Sequence, residues 1–376
     1  MPVAEGLPAV ELPAGSQPAG QLKSRPSARE ILASLGMAFL GFLLTAGVLH
    51  AAMQDPLYLH ADMRSEKLYL LHQWRGNMFT AAFGTSHVHN GFDPRVFDAT
   101  LLGTPAATHT ANLAVEGGAQ SEQYLMAREF LRNLEAPHQP QPCTVILELS
   151  AGAAFPPDKL VHPRSINLYS WPISHLMTHF VTPGMSPLQR LWRNGFAFTE
   201  LGLHYTNVGM LSNEIFQPPL NQELIQSETE DDRRGQIVLP YHASYIPRAE
   251  QLLRNMPATP TVSDGSIVPG NTEMVQLLAQ AAPRRNVSFV YLYMPAIEDK
   301  DKIRNFPDHL TVAGPHGPLT VPIVNLARSD LYPQIYNPQI WYDGDHVDGQ
   351  GAQLVTRIFA QQLRSWYAAH GWPPAC

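Results

Sequence analysis

Between Met78 and Gly91 the chain reads Met78-Phe79-Thr80-Ala81-Ala82-Phe83-Gly84-Thr85-Ser86-His87-Val88-His89-Asn90-Gly91, and this stretch narrows the fold most. The apolar run up to Phe83 has the length and composition of a buried strand. It stops at Gly84, a residue that permits a sharp turn and the close approach of a ligand to the backbone. Ser86 follows, and Asp93-Pro94 has the form of a helix N-cap with proline at the first helical position. Strand, glycine, serine and helix start together put a hydroxyl at the carboxyl edge of a parallel sheet, where open α/β folds bind ligands. Small residues crowd ordinary strand-to-helix turns too, so the rest of the chain must decide between a plain turn and a reactive one.

Around that unit the pattern alternates. Helical spacing runs over residues 64–74 through Leu68, Leu71 and Trp74. Thr110–Val115 reads as a second strand ending at Gly117-Gly118. Residues 121–134 form an amphipathic helix with Tyr124, Ala127, Leu131 and Leu134 on one face. Cys143–Leu149 reads as a third strand, Val287–Tyr293 as the clearest one, and Val321–Leu326 as the last, with Pro322 arguing for a sheet edge. Helices are expected over 247–256, 272–282 and 350–368, the last with Val355, Ile358, Phe359, Leu363 and Trp366 inward. Alternating strands and helices imply βαβ units, an α/β class and a parallel sheet. Residues 155–240 break the alternation and read as a mostly helical insertion over the sheet edge. Its Trp171, Trp192, Phe196, Phe198 and Tyr205 either offer stacking surfaces to sugars or make the insertion's own small core. Asn286-Val287-Ser288 matches a glycosylation acceptor, but it abuts a strand and is discounted.

One segment sets the compartment. From Ile31 to Leu49 no charged residue occurs over 19 positions. At about 1.5 Å per residue such a helix is roughly 28 Å long, the thickness of a bilayer core. Lys23, Arg25 and Arg29 precede it, which keeps the N-terminus in the cytoplasm. The expectation is a disordered cytoplasmic tail over 1–30, a signal anchor in the inner membrane over 31–53, and an extracytoplasmic (periplasmic) domain over 54–376. A cleaved secretory signal ending near Ala51-Ala52 competes with this, and a buried core helix is the third reading. A net charge of −7 gives no reason to expect nucleic acid as a partner. The two cysteines, Cys143 and Cys376, lack metal-ligand spacing. One disulfide is open to them, but a terminal residue tends to fray, and two free thiols are expected.

The remaining chemistry lies in Trp341-Tyr342-Asp343-Gly344-Asp345-His346-Val347-Asp348-Gly349-Gln350-Gly351-Ala352. On a helical turn, Asp343 and His346 would share one side. The carboxylate can then hold one imidazole nitrogen and leave the other as a base, which a serine hydroxyl requires before it is a nucleophile. Ser86 with Asp343-x-x-His346 is thus a complete Ser-His-Asp set, recognised by role rather than by chain order. His87 and His89 form a His-x-His pair. A metal held with His346 is conceivable, but the serine set accounts for the motifs with no metal and no cofactor, so the two histidines are expected to line the pocket or satisfy backbone groups.

These residues resemble the SGNH/GDSL hydrolase superfamily over about 67–152 and 287–367. Ser86 in Gly84-Thr85-Ser86 matches the nucleophile, Gly117 in Asn112-Leu113-Ala114-Val115-Glu116-Gly117 the oxyanion glycine, and Asp343-x-x-His346 with Gly351-Ala352 the acid and base block. Gly91-Phe92-Asp93-Pro94 and the Lys67-Leu68 helix are similar to the membrane-anchored branch associated with polysaccharide and teichoic-acid acylation. The resemblance implies a three-layer α/β/α fold on a flavodoxin-like sheet and acyl-ester chemistry. Ser86 would attack, His346 would move protons, Asp343 would hold His346, and the Ser86 and Gly117 amides would bind the oxyanion. The function it implies is an O-acyltransferase or acetylesterase acting on a cell-surface polysaccharide, with a membrane-bound acyltransferase or glycan synthase as possible partner. The alternative is a non-catalytic polysaccharide-binding or scaffold subunit on a degenerate fold of this kind. Two positions depart from the family: Thr85 stands for the usual Asp, and Leu147-Glu148-Leu149-Ser150 stands where Gly-x-Asn-Asp is usual. The family's oxyanion asparagine thus has no match. Either the insertion supplies a donor, or the two amides suffice, or activity is reduced or lost; losing one donor can cost on the order of a hundredfold.

Overall fold

A computed structural model describes residues 27–52, 63–118, 120–135, 141–149, 171, 174, 186–205, 233–257, 259–282 and 286–376. The expected tail up to residue 26, most of the insertion and Ser150 lie outside the described residues. The chain divides into two compact units, Met1–Ala46 and Gly47–Cys376, each taken by itself here.

Helix α1, Ala28–Ala52, opens on a reciprocal cap. Ser27 Oγ accepts from the Glu30 amide at 3.3 Å, and the Glu30 carboxylate accepts from the Ser27 amide at 2.7 Å. Leu32, Leu35, Met37, Phe39, Leu44 and Val48 point outward. Among the described residues α1 is the one helix long and apolar enough to cross a membrane.

The second unit is built on a six-stranded sheet. Its strands are β1 (Thr80–Phe83), β2 (Thr110–Asn112), β3 (Cys143–Glu148), β5 (Val287–Tyr293), β7 (His309–Gly314) and β8 (Gly317–Asn325). A short β4 (Thr261–Asp264) pairs in parallel with β6 (Lys302–Asn305) in a separate two-stranded sheet. The main order is β2-β1-β3-β5-β8-β7. Its first five strands are parallel and only β7 runs against them. That parallel order is the doubly wound arrangement in which chain direction reverses between β1 and β3, opening a crevice at their carboxyl ends.

Side chains alternate across the sheet and divide the core into two layers. Ala81 and Phe83, Val145 and Leu147, Phe289 and Tyr291 face one way. They meet α2 (Met63–Gln73) through Leu70 and Leu71, α5 (Gln120–Asn133) through Met126, Ala127 and Phe130, and α8 (Pro269–Ala281) through Val275 and Leu278. Ala82, Ile146, Val290, Leu292 and Val324 face the other way. There they meet α3 (Ser86–Gly91), α4 (Pro94–Leu101), α7 (Ile246–Asn255) and α9 (Gly349–His370). The result is a three-layer α/β/α fold. Phe92 and Phe97 pack on Phe359 of α9 with ring centroids 6.1 and 5.5 Å away. Asp93 caps α4, its Oδ1 accepting from the Arg95 and Val96 amides at 3.0 and 3.3 Å, with Pro94 next, as the sequence indicates. Thr356 of α9 ties in the junction between α3 and α4: its Oγ1 accepts from the Asp93 amide at 2.8 Å and donates to the Gly91 carbonyl at 3.3 Å.

Three expectations change. Pro322 is not on an edge strand, because β7 covers β8 as an antiparallel hairpin. Pairing of β8 with β5 starts at Ile323, so the amide that Pro322 lacks is not needed there. The two cysteines are not free thiols: Cys143 and Cys376 form a disulfide across 233 residues of separation. The terminal residue does not fray because Ala375 bridges Pro142 and the Cys376 amide donates to the Gln141 carbonyl at 3.1 Å. Within the expected insertion, helix α6 (Pro187–Tyr205) is described. Trp192 is 77% exposed, Trp171, Phe198 and Tyr205 are also exposed, the Trp171 and Phe198 rings lie 6.2 Å apart, and Phe196 packs on the sheet's core.

Cross-linking so long a loop restricts the unfolded chain, an effect worth about 2–4 kcal/mol. Cys376→Ser is expected to lower stability by that order in denaturant titrations, and wild type alone should change gel mobility on reduction.

Candidate active site

The turn after β1 is built by local capping. Thr85 is the N-cap of α3, and its hydroxyl accepts from the His87 amide at 3.3 Å. Ser86 is therefore the first residue of a helix only six residues long. So short a helix needs anchoring, and Asn112 at the end of β2 supplies it. Its Nδ2 donates to the carbonyls of Val88, His89 and Phe92 at 2.8, 3.2 and 2.9 Å, while its Oδ1 accepts from the Ala114 amide at 3.1 Å. Asn112 thus leaves the strand pattern early, which explains why β2 is half the expected length. Under the same helix, fully buried Lys67 places Nζ 3.0 Å from His89 Nε2 and donates to the Gly235 carbonyl at 2.5 Å. His89 consequently points into this buried cluster rather than joining His87 and His346.

Asp343 and His346 lie on a loop, not on the helical turn that their spacing allows. The loop is closed by an antiparallel bridge between Trp341 and Val347 and by the Tyr342 amide donating to the His346 carbonyl at 2.9 Å. Asp343 holds it from inside: Oδ1 accepts from the Asp345 and His346 amides, both at 2.8 Å. This side-chain turn is a common device of Asp in loops. From outside, the Ile297 amide donates to the Gly344 carbonyl at 2.9 Å and His242 Nδ1 lies 2.6 Å from the Tyr342 carbonyl. The following helix takes its cap from Asp348, whose Oδ1 accepts from the Gln350 and Gly351 amides, both at 2.9 Å.

The two loops meet. His346 Nε2 is 2.8 Å from Ser86 Oγ, and His346 Nδ1 is 2.9 Å from both carboxylate oxygens of Asp343. With a carboxylate on Nδ1, that nitrogen carries the ring proton and Nε2 accepts from the serine hydroxyl. Partial burial favours the neutral acid of Asp343. The hydrogen bonds from the Asp345 amide, the His346 ring and the His346 amide outweigh that and hold its carboxyl below the usual carboxylate range. The structure therefore brings together three of the four residues singled out for chemistry. Gly117, the fourth, stands at the same sheet edge with φ 63°, in a turn fastened by the Val115 amide to the Gly84 carbonyl at 3.0 Å. Among the described residues it makes no hydrogen bond to the other three.

Sequence reasoning missed Glu148 as a site residue. It ends β3 directly across the crevice from Gly84. Its Oε2 accepts from the Thr85 amide at 2.5 Å, and its Oε1 lies 3.2 Å from Thr85 Oγ1 and 3.3 Å from His87 Nδ1. Gly84 is required for this contact: a Cβ there would lie 2.5 Å from Glu148 Oε2 and 2.6 Å from Val88 Cγ2. The missing side chain makes room for a carboxylate and a valine, not for an incoming ligand. The readable signal was a lone acid closing the apolar strand Cys143–Leu149. A cleft of about 280 Å³ lined in part by Val287, Ser288, Trp366, His370 and Trp372 lies at the amino end of β5, away from Ser86.

Asn112→Ala would remove the side-chain donor from three carbonyls at the end of the Ser86 helix, leaving Val88 and His89 only their backbone partners and taking from Phe92 the Asn112 bond. A loss of about 1–3 kcal/mol in unfolding free energy is expected, together with a longer Ser86–His346 separation in a crystal structure of the variant.

No family model, curated protein or solved structure matches the chain, and the chemistry of the site stands on its geometry.

Proposed function

We propose that the protein is a membrane-anchored, extracytoplasmic O-acyltransferase or esterase acting on a cell-surface polysaccharide. The observation that carries this reading is the unbroken relay from Ser86 Oγ through His346 to Asp343, with bonds of 2.8 and 2.9 Å. Such a relay activates a hydroxyl for attack on an acyl carbonyl. Ser86 Oγ bonds to the carbonyl carbon while His346 Nε2 takes its proton. The Asp343 carboxylate stabilises the imidazolium that forms. Charge on the carbonyl oxygen is met by backbone amides, those of Ser86 and Gly117 being the candidates. As the tetrahedral species collapses, the bond to the leaving alcohol breaks and His346 returns the proton to that oxygen. A second hydroxyl, from glycan or water, then repeats the sequence on the acyl-serine, giving transfer or hydrolysis.

Other features support the setting. The uncharged run of α1 with Lys23, Arg25 and Arg29 before it favours a cytoplasmic N-terminus, and a structural disulfide fits an oxidising compartment outside it. Trp192, Phe198 and Tyr205 of α6 present exposed rings of the kind sugars stack on. An acyl donor on the same membrane, such as a membrane-bound acyltransferase, and a glycan synthase are the partners this chemistry would need.

A fluorophosphonate is expected to label wild type at Ser86, while Ser86→Ala and His346→Ala should show no labelling and at least a thousandfold loss of acetyl-ester turnover or transfer to glycan acceptors. The double variant should lose no more than either single one, because the residues act as a unit. Unlabelled, inactive wild type with normal polymer acylation in cells carrying Ser86→Ala would favour the scaffold alternative. Fractionation checks the setting: full-length protein should stay with membranes after carbonate extraction. Soluble protein with a new N-terminus near Ala52 would indicate a cleaved signal.

A further inference from the structure

Glu148 raises an electrostatic problem for the reaction just described. It occupies the crevice where a neutral donor would help the developing oxyanion, and it brings a negative charge. Two like charges a few ångströms apart in a partly buried site cost several kcal/mol as an order of magnitude. Something must offset the carboxylate: Thr85 gives it neutral hydrogen bonds, and the side chain touching it that can carry a positive charge is His87. His87 follows Ser86 in the chain, and its ring centroid is 5.4 Å from that of His346. Its Nδ1 is engaged by Glu148 Oε1 at 3.3 Å, and the side chain keeps 32% of its surface open. Among the described residues its Nε2 makes no hydrogen bond. One nitrogen is thus fixed from behind by a buried carboxylate and the other is free beside the nucleophile, the arrangement in which a carboxylate orients an imidazole as donor.

From this geometry we infer that His87, oriented by Glu148, is the side-chain donor to the acyl oxygen at Ser86. The inference rests on the acyl-ester reading and adds a residue to it. With Nδ1–H given to Glu148, the Nε2–H of the imidazolium is available to a carbonyl oxygen. The pair is neutral overall, so the oxyanion forms beside a dipole instead of a bare carboxylate. The proton is held in place by its surroundings. Burial disfavours the charged ring, but the Glu148 hydrogen bond and the carboxylates of Glu148, Asp345 and Asp299 outweigh that and raise the His87 pKa above its ordinary value. The donor therefore persists to higher pH than on an ordinary histidine and is lost as pH rises through that raised value. His346 is the other imidazole that faces it.

The test uses the full-length protein in detergent. The rate of Ser86 modification by a fluorophosphonate is followed against pH for wild type, His87→Phe, His87→Gln and Glu148→Gln, with melting temperature as a folding control. His87→Phe should slow labelling on the order of a hundredfold. His87→Gln, which keeps a neutral donor, should recover at least tenfold of that and lose the alkaline limb of the profile. Glu148→Gln should move this limb to lower pH. A second readout does not need a live nucleophile: in Ser86→Ala labelled with ¹⁵N-histidine, sodium acetate should shift the His87 ring signals and raise its titration midpoint. Absent Ser86 labelling in wild type with an acetate response at His87 would sink the serine relay while keeping the donor. Normal labelling, unchanged in His87→Phe, with no acetate response would overturn the donor and keep the relay. Equal losses in His87→Phe and His87→Gln, accompanied by lower melting temperatures, would also overturn it and leave His87 a purely structural group.

Discussion

The hydrogen bond between Ser86 Oγ and His346 Nε2 joins residues 260 positions apart, and most of what surrounds it exists to bring those two loops to one place. The parallel order of β2, β1, β3, β5 and β8 sets their carboxyl ends along one edge. The reversal between β1 and β3 opens the crevice where Gly84 leads into Ser86. The return from β8 carries the chain to the Asp343–His346 loop on the same edge. Neither loop has a long regular element to stiffen it. One is a six-residue helix held by the Asn112 side chain, the other a bridge-closed turn held by the Asp343 carboxylate. In each case a short polar side chain adds hydrogen bonds to several backbone groups of the loop at once.

Much of this was legible in the sequence because it obeys periodic rules. The strand Val287–Tyr293 matches its apolar run residue for residue, and the helices begin and end near their caps and prolines. Ser86, Asp343 and His346 were legible because an activated hydroxyl demands three particular residue types. What escaped depends on contacts distant in sequence. Pro322 looked like an edge residue because nothing local announces that His309–Gly314 folds back over it. The Cys143–Cys376 bond depends on the chain end returning beside β3. Asp-x-x-His satisfies a helical turn and a side-chain-closed loop equally well, and only the bridge from Trp341 to Val347 selects the loop. In the sequence Glu148 is only one member of the Leu147–Ser150 stretch that stands where Gly-x-Asn-Asp is usual. Its role appeared only once the crevice placed it against Thr85 and His87.

Gly84 illustrates how a correct residue can carry a mistaken reason. A glycine before a candidate nucleophile suggests room for a ligand. Here the room is filled from within, by a carboxylate on one side and Val88 on the other. The charge so admitted makes the neighbouring histidine more than a bystander, since a buried acid needs a partner to be tolerated.

Thr356 has a consequence of a different kind. Through one hydroxyl, helix α9 grips the backbone at Gly91 and Asp93, just past the Ser86 helix, while the same helix starts two residues beyond the Trp341–Val347 loop that carries His346. The two halves of the relay are thereby mounted on one lever at the periphery of the sheet, and the strands can stay paired while the lever loosens. Heating should then silence the serine before it melts the protein, with fluorophosphonate capture fading several degrees below the loss of far-ultraviolet circular dichroism.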